Sequence, residues 1–370
     1  MSTNKRLLYK DLDALRFFAF VPIYISCVLF AVDTKENTFI SDIAGISGYI
    51  AQNSIDFFFF LSSFLITAQG LREYKYTKRF SVKYFFIRRL IRMLPLMGLL
   101  IIFGFIIHPW IHTTLKLTPI NFPSIKYFLL MTPNYGGVEI SEHFIYLGVL
   151  ITLYMFMQFY LVWGLVLKFF SQQIKYIAYG LIGIGIAARL YHILLNEPYV
   201  FDTLSMGIPI GIGALIANTA RKEPRLVDII KQVEKSTLLI VYGIGIVSIL
   251  VGYLFLANTY FSVIVPIITS FFFGFVVLEQ TYCKHSYIKF RRNKLLSRLG
   301  KISYGLIVYS SICIVLCVIS VLSLSVELNS LPIQLIIGAV SFLIAWLMAD
   351  ISYNYFERPI LSIKSDFKRI

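Results

Sequence analysis

Ionisable residues inside apolar stretches are the first candidates for chemistry, because each costs roughly 2.5 kcal/mol or more at membrane depth unless paired or hydrated. Asp56 stands in SIDFFFFLSSFLIT, flanked by Asn53, Ser54, Ser62 and Ser63, so Asp56 and Ser62, with Asp13 at the start of the first apolar run, are expected to border a polar cavity or to support it. Arg16 follows Asp13 by three residues at the start of another apolar run. That spacing also suits a plain helical ion pair at the cytoplasmic boundary. The run KRFSVKYFFIRRLIRMLPL places Arg88, Arg89 and Arg92 on one short amphipathic helix, with Pro95 opening the next span. Planar guanidinium forks bind phosphate oxygens in pairs, so the cluster suits a phosphate-bearing ligand; attraction to anionic lipid head groups is the plainer account of the same charges. His108 and His112, four apart in HPWIH, have a spacing that can hold an ion, yet no third ligand is placed by the sequence and no metal site is expected.

The elements that must carry these residues are read from charge-free runs, since a helix needs about 20 residues to cross a hydrocarbon core of roughly 30 Å. Ten runs qualify, charge-free except for Asp56 in the second and Arg189 in the fifth: 17–32, 46–70, 93–115, 143–167, 176–195, 203–220, two within 236–278 divided at Ala257-Asn258-Thr259, 302–326 and 328–349. Sorting the 34 Lys and Arg residues by side leaves only Lys35, Lys116, Lys126 and Arg189 on one face. The rest fall on the other, which the positive-inside rule makes cytoplasmic. The expected fold is an all-α integral membrane bundle of ten transmembrane helices with both termini cytoplasmic, a single domain over 1–370. Within it, 71–94 is a basic interfacial segment on the cytoplasmic side. The stretch 116–142 is a long external loop, rich in Pro, Gly and Asn, expected to lie on the outer surface as an interfacial segment or lid, or to be a passive connector.

Composition supports this reading. Of 370 residues 58% are apolar and only 14% charged, against the quarter or so charged in soluble domains, which excludes a soluble globular protein. The formal charge of +15 then records sidedness, so membrane lipids are expected partners and nucleic acid is not. Cys27, Cys283, Cys313 and Cys317 have neither zinc nor disulfide spacing. The basic N-terminal stretch runs into its apolar segment without a small-residue cleavage site, so a retained first helix is expected. The glycines of GIPIGIGAL, including Gly207 and Gly211, read as a close helix-packing surface.

Taken together, these segments resemble acyltransferase family 3, membrane proteins that typically move acetyl or other acyl groups from cytoplasmic acyl-CoA onto sugars of surface polysaccharides. Asp13-Ala14-Leu15-Arg16 is similar to the family's D-x-L-R start, and SIDFFFFLSSFLIT to its D-x-F-F-x-x-S-G-F segment, with Ser63 in the glycine's place. RRLIRMLP resembles its R-x-x-R…P stretch, MQFYLVW the sequence after its catalytic acid, LGKISYGLIVY its ninth-helix motif and ISYNYFERPIL its E-R-P signature. The resemblance implies a protein of the cell membrane in which Arg16, Arg89 and Arg92 bind the acyl donor, acyl-CoA serves as co-substrate with no resident cofactor, and a surface glycan or lipid-linked sugar accepts the acyl group.

Three positions depart from the pattern. Cys27 stands where the family has a histidine, Phe156 where it has a glutamate, and Ser310 where a second histidine ends the S-Y-G motif. Acyl transfer to a hydroxyl uses a general base that typically contributes about 10² to 10⁴-fold in rate, and phenylalanine cannot serve. A cysteine, with a reference pKa of about 8.5, is mostly protonated at neutral pH; Cys27 could act instead as a nucleophile forming an acyl-thioester, although nothing adjacent in the sequence activates it. Asp56, or Tyr154 and Tyr160 as donors, stand as substitutes. Two readings therefore stay open: an O-acyltransferase with a nonstandard centre, and a catalytically degenerate relative that binds, scaffolds or transports in surface-polysaccharide assembly.

Overall fold

The computed structural model describes residues 11–31, 38–117, 123–136, 144–257, 259–287, 289–290, 293–324 and 330–359, which form helices, turns and loops without a strand. The ends of the chain and parts of the long loop, 118–122 and 137–143, lie outside the described residues, so the expectation for the two termini falls there.

The first two helices, α1 (Asp11–Phe30) and α2 (Thr38–Thr77), pack as a hairpin. At about 1.5 Å per residue the 40 residues of α2 outrun any bilayer, so its last turns, with Arg72 and Lys75, project beyond the membrane. Next, α3 (Val82–Ile102) continues through a π-turn, Phe103–Ile107, into α4 (His108–Thr114). The extra residue of a π-turn marks a local demand on the helix. Here Gly104 lies against the Tyr146 ring, and the Tyr146 hydroxyl sits 2.9 Å from His108 Nδ1. A short helix α5 (Ile125–Leu129) follows, and then α6 (Ile145–Phe169), whose Tyr146, Leu150 and Met155 have no exposed surface.

The second half comprises α7 (Ile174–Leu195), α8 (Gly207–Lys222), the short amphipathic α9 (Pro224–Gln232), α10 (Lys235–Val251), α11 (Ile264–Tyr282), α12 (Lys294–Ser323) and α13 (Leu331–Ser352). Asn293 caps α12 by accepting from the backbone of Leu295 and Leu296 at 3.0 and 3.1 Å, the usual device for the unpaired amides at a helix start. Small residues set the closest approaches, as expected where apolar side chains gain little by leaving lipid. Gly300 meets the Asp13 carbonyl, Gly211 meets the Ala178 carbonyl, and Gly213 meets that of Phe60.

Among the described residues nine helices are long and apolar enough to cross a membrane. The segment expected to be the sixth of ten spans is α8, a 16-residue helix. Its first residue packs against Leu181 and Gly185, about ten residues, or roughly 15 Å, short of the Leu195 end of α7. Residues 196–206 therefore run back down beside α7 before α8 begins midway along it. The long loop is likewise held against a helix. Gln158, roughly 20 Å along α6 from Ile145, donates to the Met131 carbonyl at 2.8 Å and to Asn134 Oδ1 at 2.9 Å, while Thr203 Oγ1 donates to Gln158 Oε1 at 2.5 Å. The described part of the loop, 123–136, thus packs along the side of α6, and Leu129, Leu130 and Met131 turn their apolar side chains outward. Irregular backbone is tolerated at membrane depth where protein or a cavity satisfies it, and here a Gln, an Asn and a Thr do so.

Candidate functional site

A cavity of about 1130 Å³ runs between α1, α2, α3, α6, α12 and the 196–206 loop. Helical spacing explains its walls. On α6, Ile145, Gly148, Val149, Thr152, Leu153, Phe156 and Tyr160 recur every three or four residues and line it as one stripe; Gly48, Ala51, Gln52, Ile55, Phe58 and Ser62 do the same on α2. From α1 come Arg16 near one end and Cys27 eleven residues on, roughly 16 Å along the helix axis. Ser303, Tyr304 and Ile307 of the S-Y-G segment close the α12 side, and Glu197, Pro198, Val200 and Phe201 form the loop wall.

At one end Arg16, Arg89 and Arg92 all face this space. Arg16 is paired with Asp13 at 2.5 Å, so the local ion pair and the cavity role hold together; Asp13 itself does not line the cavity but fixes the arginine that does. The Arg89 guanidinium lies 5.1 Å from the Tyr160 ring and 5.6 Å from the Phe85 ring, a cation–π setting that orients a guanidinium without consuming its donors. Among the described residues neither Arg89 nor Arg92 forms an ion pair with a carboxylate. Arg92 lies within electrostatic reach of Arg16 and of Glu357 in the E-R-P segment. The Tyr304 hydroxyl, donating to the Met93 carbonyl at 3.4 Å, ties α12 to the arginine helix. Three guanidiniums converging with one short-range carboxylate partner leave donors directed at an anion. Arg88 does not line the cavity.

Phe156, at the position of the family's acid, lies flat against Phe59 with centroids 4.1 Å apart and planes 9° apart. It forms part of the wall, and the cavity continues past it from Tyr160 to Gly148. Cys27 lines the cavity, and no hydrogen-bond partner or base adjoins its sulfur among the described residues. Ser310 is buried, its hydroxyl returned to the Ile307 carbonyl at 3.2 Å on its own helix, away from the cavity.

Asp56 is the main departure from expectation. It does not border the cavity but receives a bidentate ion pair from Arg189 at 2.8 and 3.0 Å, both side chains being 2% exposed. Arg189 also donates Nε–H to the Ser205 carbonyl at 3.0 Å and lies 5.0 Å from the Tyr199 ring. The two charges that interrupted separate spans cancel one another and hold α2, α7 and the 196–206 loop together, which leaves Asp56 unfit as a base. Ser62 does line the cavity, while Ser63 donates to the Ile210 carbonyl at 2.6 Å, joining α2 to α8. Tyr154 is buried against Phe128 and does not line the cavity, whereas Tyr160 does. The His108 ring meets those of Tyr146 and His112 edge-on, and no third metal-binding side chain joins the two histidines among the described residues.

Sequence reasoning did not single out Glu197, His192 and Asp202 as a group. His192 Nδ1 lies 3.5 Å from Glu197 Oε2, and Nε2 lies 3.6 Å from Asp202 Oδ2. Their only sequence signal is the clustering of three titratable residues around NEPYVFD, in the connection between the spans read as 176–195 and 203–220.

No curated protein and no solved structure matches the chain. The family model for the acyltransferase domain of acyltransferase family 3 matches residues 9–350, a stretch that contains the arginine cluster, the 196–206 loop and every wall of the cavity. On that match the chain belongs to acyltransferase family 3.

Proposed function

We propose that this membrane acyltransferase-like protein moves an acyl group, acetyl in the simplest case, from acyl-CoA to a hydroxyl of a cell-surface glycan or lipid-linked sugar. The single observation that carries the reading is the cavity: three arginines meet at one end, and the walls continue along α1 from Arg16 to Phe30, just under four helical turns, with Glu197 and Phe201 of the 196–206 loop among them. Guanidiniums that lack carboxylate partners suit the phosphates of CoA. The walls beyond them, where Ile23, Ile55 and Val149 alternate with Ser26, Gln52 and Thr152, suit an extended phosphopantetheine arm, which is apolar along its methylenes and polar at its amides. The basic asymmetry of the sequence assigns the arginine end to the cytoplasm of a cell-membrane protein, where acyl-CoA is available, and leaves the far mouth to the acceptor. Both substrates would then meet in a confined space, the condition under which positioning lowers a bimolecular barrier.

Deletion of the gene, with mass spectrometry of surface-glycan O-acyl groups, tests this. Loss of acylation, restored by wild type and not by Arg89→Ala with Arg92→Ala, is the expected result; unchanged acylation in the deletion strain would sink the reading for that glycan. The second reading, a binding or transport component of polysaccharide assembly, is favoured by Phe156 and Cys27 at two ionisable family positions inside this cavity. Under it the purified protein binds acetyl-CoA without ever releasing free CoA.

A further inference from the structure

If the protein transfers acyl groups, a proton acceptor must replace the absent histidine and glutamate, and the cavity offers one carboxylate among the described residues, Glu197. Its placement follows from the chain. Asn196 ends α7 in the left-handed conformation, φ 54°, and the Glu197 amide then bonds back to the His192 carbonyl at 2.9 Å, which turns Glu197 into the wall of the cavity. His192 lies between Glu197 and Asp202. Asp202 in turn is fixed by the Ser205 amide at 2.9 Å, the Ser205 hydroxyl at 2.7 Å and the Leu204 amide at 3.2 Å. Ser205 is anchored through its carbonyl to the buried Arg189. The series therefore runs from the buried Asp56–Arg189 ion pair to a half-exposed carboxylate on the cavity wall.

We propose that Glu197 is the general base of acyl transfer, with His192 and Asp202 as positioning residues, so that the proton-accepting function has moved from the first and sixth helices to the re-entrant loop. The proposal rests on the transferase reading. In the step, a Glu197 carboxylate oxygen takes the proton of the acceptor hydroxyl as its oxygen bonds to the thioester carbonyl carbon. The tetrahedral centre collapses with cleavage of the C–S bond, and the leaving thiolate takes that proton, giving CoA and the ester and restoring the carboxylate. The 3.5 Å separation of Glu197 and His192 is of the loose kind that tightens when substrate binds.

The test uses the full-length protein in nanodiscs with radiolabelled acetyl-CoA and membranes of the deletion strain as acceptor, following free CoA release and label in the glycan fraction. Glu197→Gln is expected to lower turnover by about 10² to 10⁴-fold with the KM for acetyl-CoA unchanged, and Glu197→Asp to retain part of the activity. His192→Asn is expected to lower turnover less than Glu197→Gln does, again with KM unchanged. Thermal unfolding of each variant identifies a folding defect, and acetyl-CoA binding at wild-type affinity confirms that the donor end is intact. Wild-type turnover in Glu197→Gln overturns the assignment of Glu197 while leaving the transferase reading in place. Acetyl-CoA binding without CoA release by the wild type overturns the transferase reading, and this assignment with it.

Discussion

Arg89 and Arg92 illustrate how one residue type serves two ends in this chain. Most of its basic residues mark a membrane face, whereas these two point inward beside Arg16, and Arg89 rests on the rings of Phe85 and Tyr160. Hydrogen bonds to charged groups are worth about 1.5 to 3 kcal/mol each, so Arg89→Ala or Arg92→Ala should weaken acetyl-CoA binding by about tenfold to a hundredfold in isothermal titration with nanodisc-embedded protein. Arg89→Lys should recover little, because an ammonium cannot reproduce the planar fork or its stacking. At Cys27 the surroundings offer no activating base, so intact-protein mass spectrometry after incubation with acetyl-CoA should show no acetyl adduct. A hydroxylamine-sensitive gain on the Cys27 peptide would replace the general-base proposal with a thioester route. The arginines were legible in the sequence as a cluster before a span, but lipid head groups account for the same charges and only the cavity gives Arg89 and Arg92 their direction; the role of Asp56 was not legible, since its partner lies 133 residues away.

At the scale of elements, the interplay of α2, α7 and the 196–206 loop rests on that Asp56–Arg189 pair. Removing one partner of a buried ion pair costs about 3–5 kcal/mol because the other charge is left uncompensated. Arg189→Met should therefore lower the thermal unfolding midpoint in detergent markedly, and Asp56→Leu combined with Arg189→Met should recover much of the loss. A double variant no more stable than the single would show that Arg189 acts chiefly through Ser205 and Tyr199. The α1–α12 crossing is set by Gly300 against the Asp13 carbonyl. Overpacking a tight contact costs typically 1–3 kcal/mol, so Gly300→Ala should both destabilise the protein and, by displacing the Asp13–Arg16 turn, weaken acetyl-CoA binding. Helix existence was readable from charge-free runs, but that α8 starts midway along α7 was not. Its residues are as apolar as those of a full span, and only the close packing of Gly207 on Gly185 sets its depth.

For the whole molecule, the re-entrant course of two loops is the feature open to direct measurement. A cysteine placed at exposed Thr114 should react with a membrane-impermeant maleimide in intact cells, while one at Leu130, equally exposed in the isolated chain but facing lipid, should be protected until detergent is added. Equal labelling of both would return 123–136 to the outer surface. The sequence by itself determined that the chain is an all-helical membrane protein, gave the asymmetry of its basic residues, its family and the arginines that face the cavity. These follow from composition, from the period of the helix and from local motifs, all of which act over a few residues. Tertiary structure alone decided that Asp56 is spent on Arg189, that Phe156 walls the cavity without closing it, and that Glu197 lines it. Each of those depends on which distant segments share a depth in the membrane, and depth is fixed by packing at glycines and by buried polar pairs rather than by the local run of side chains.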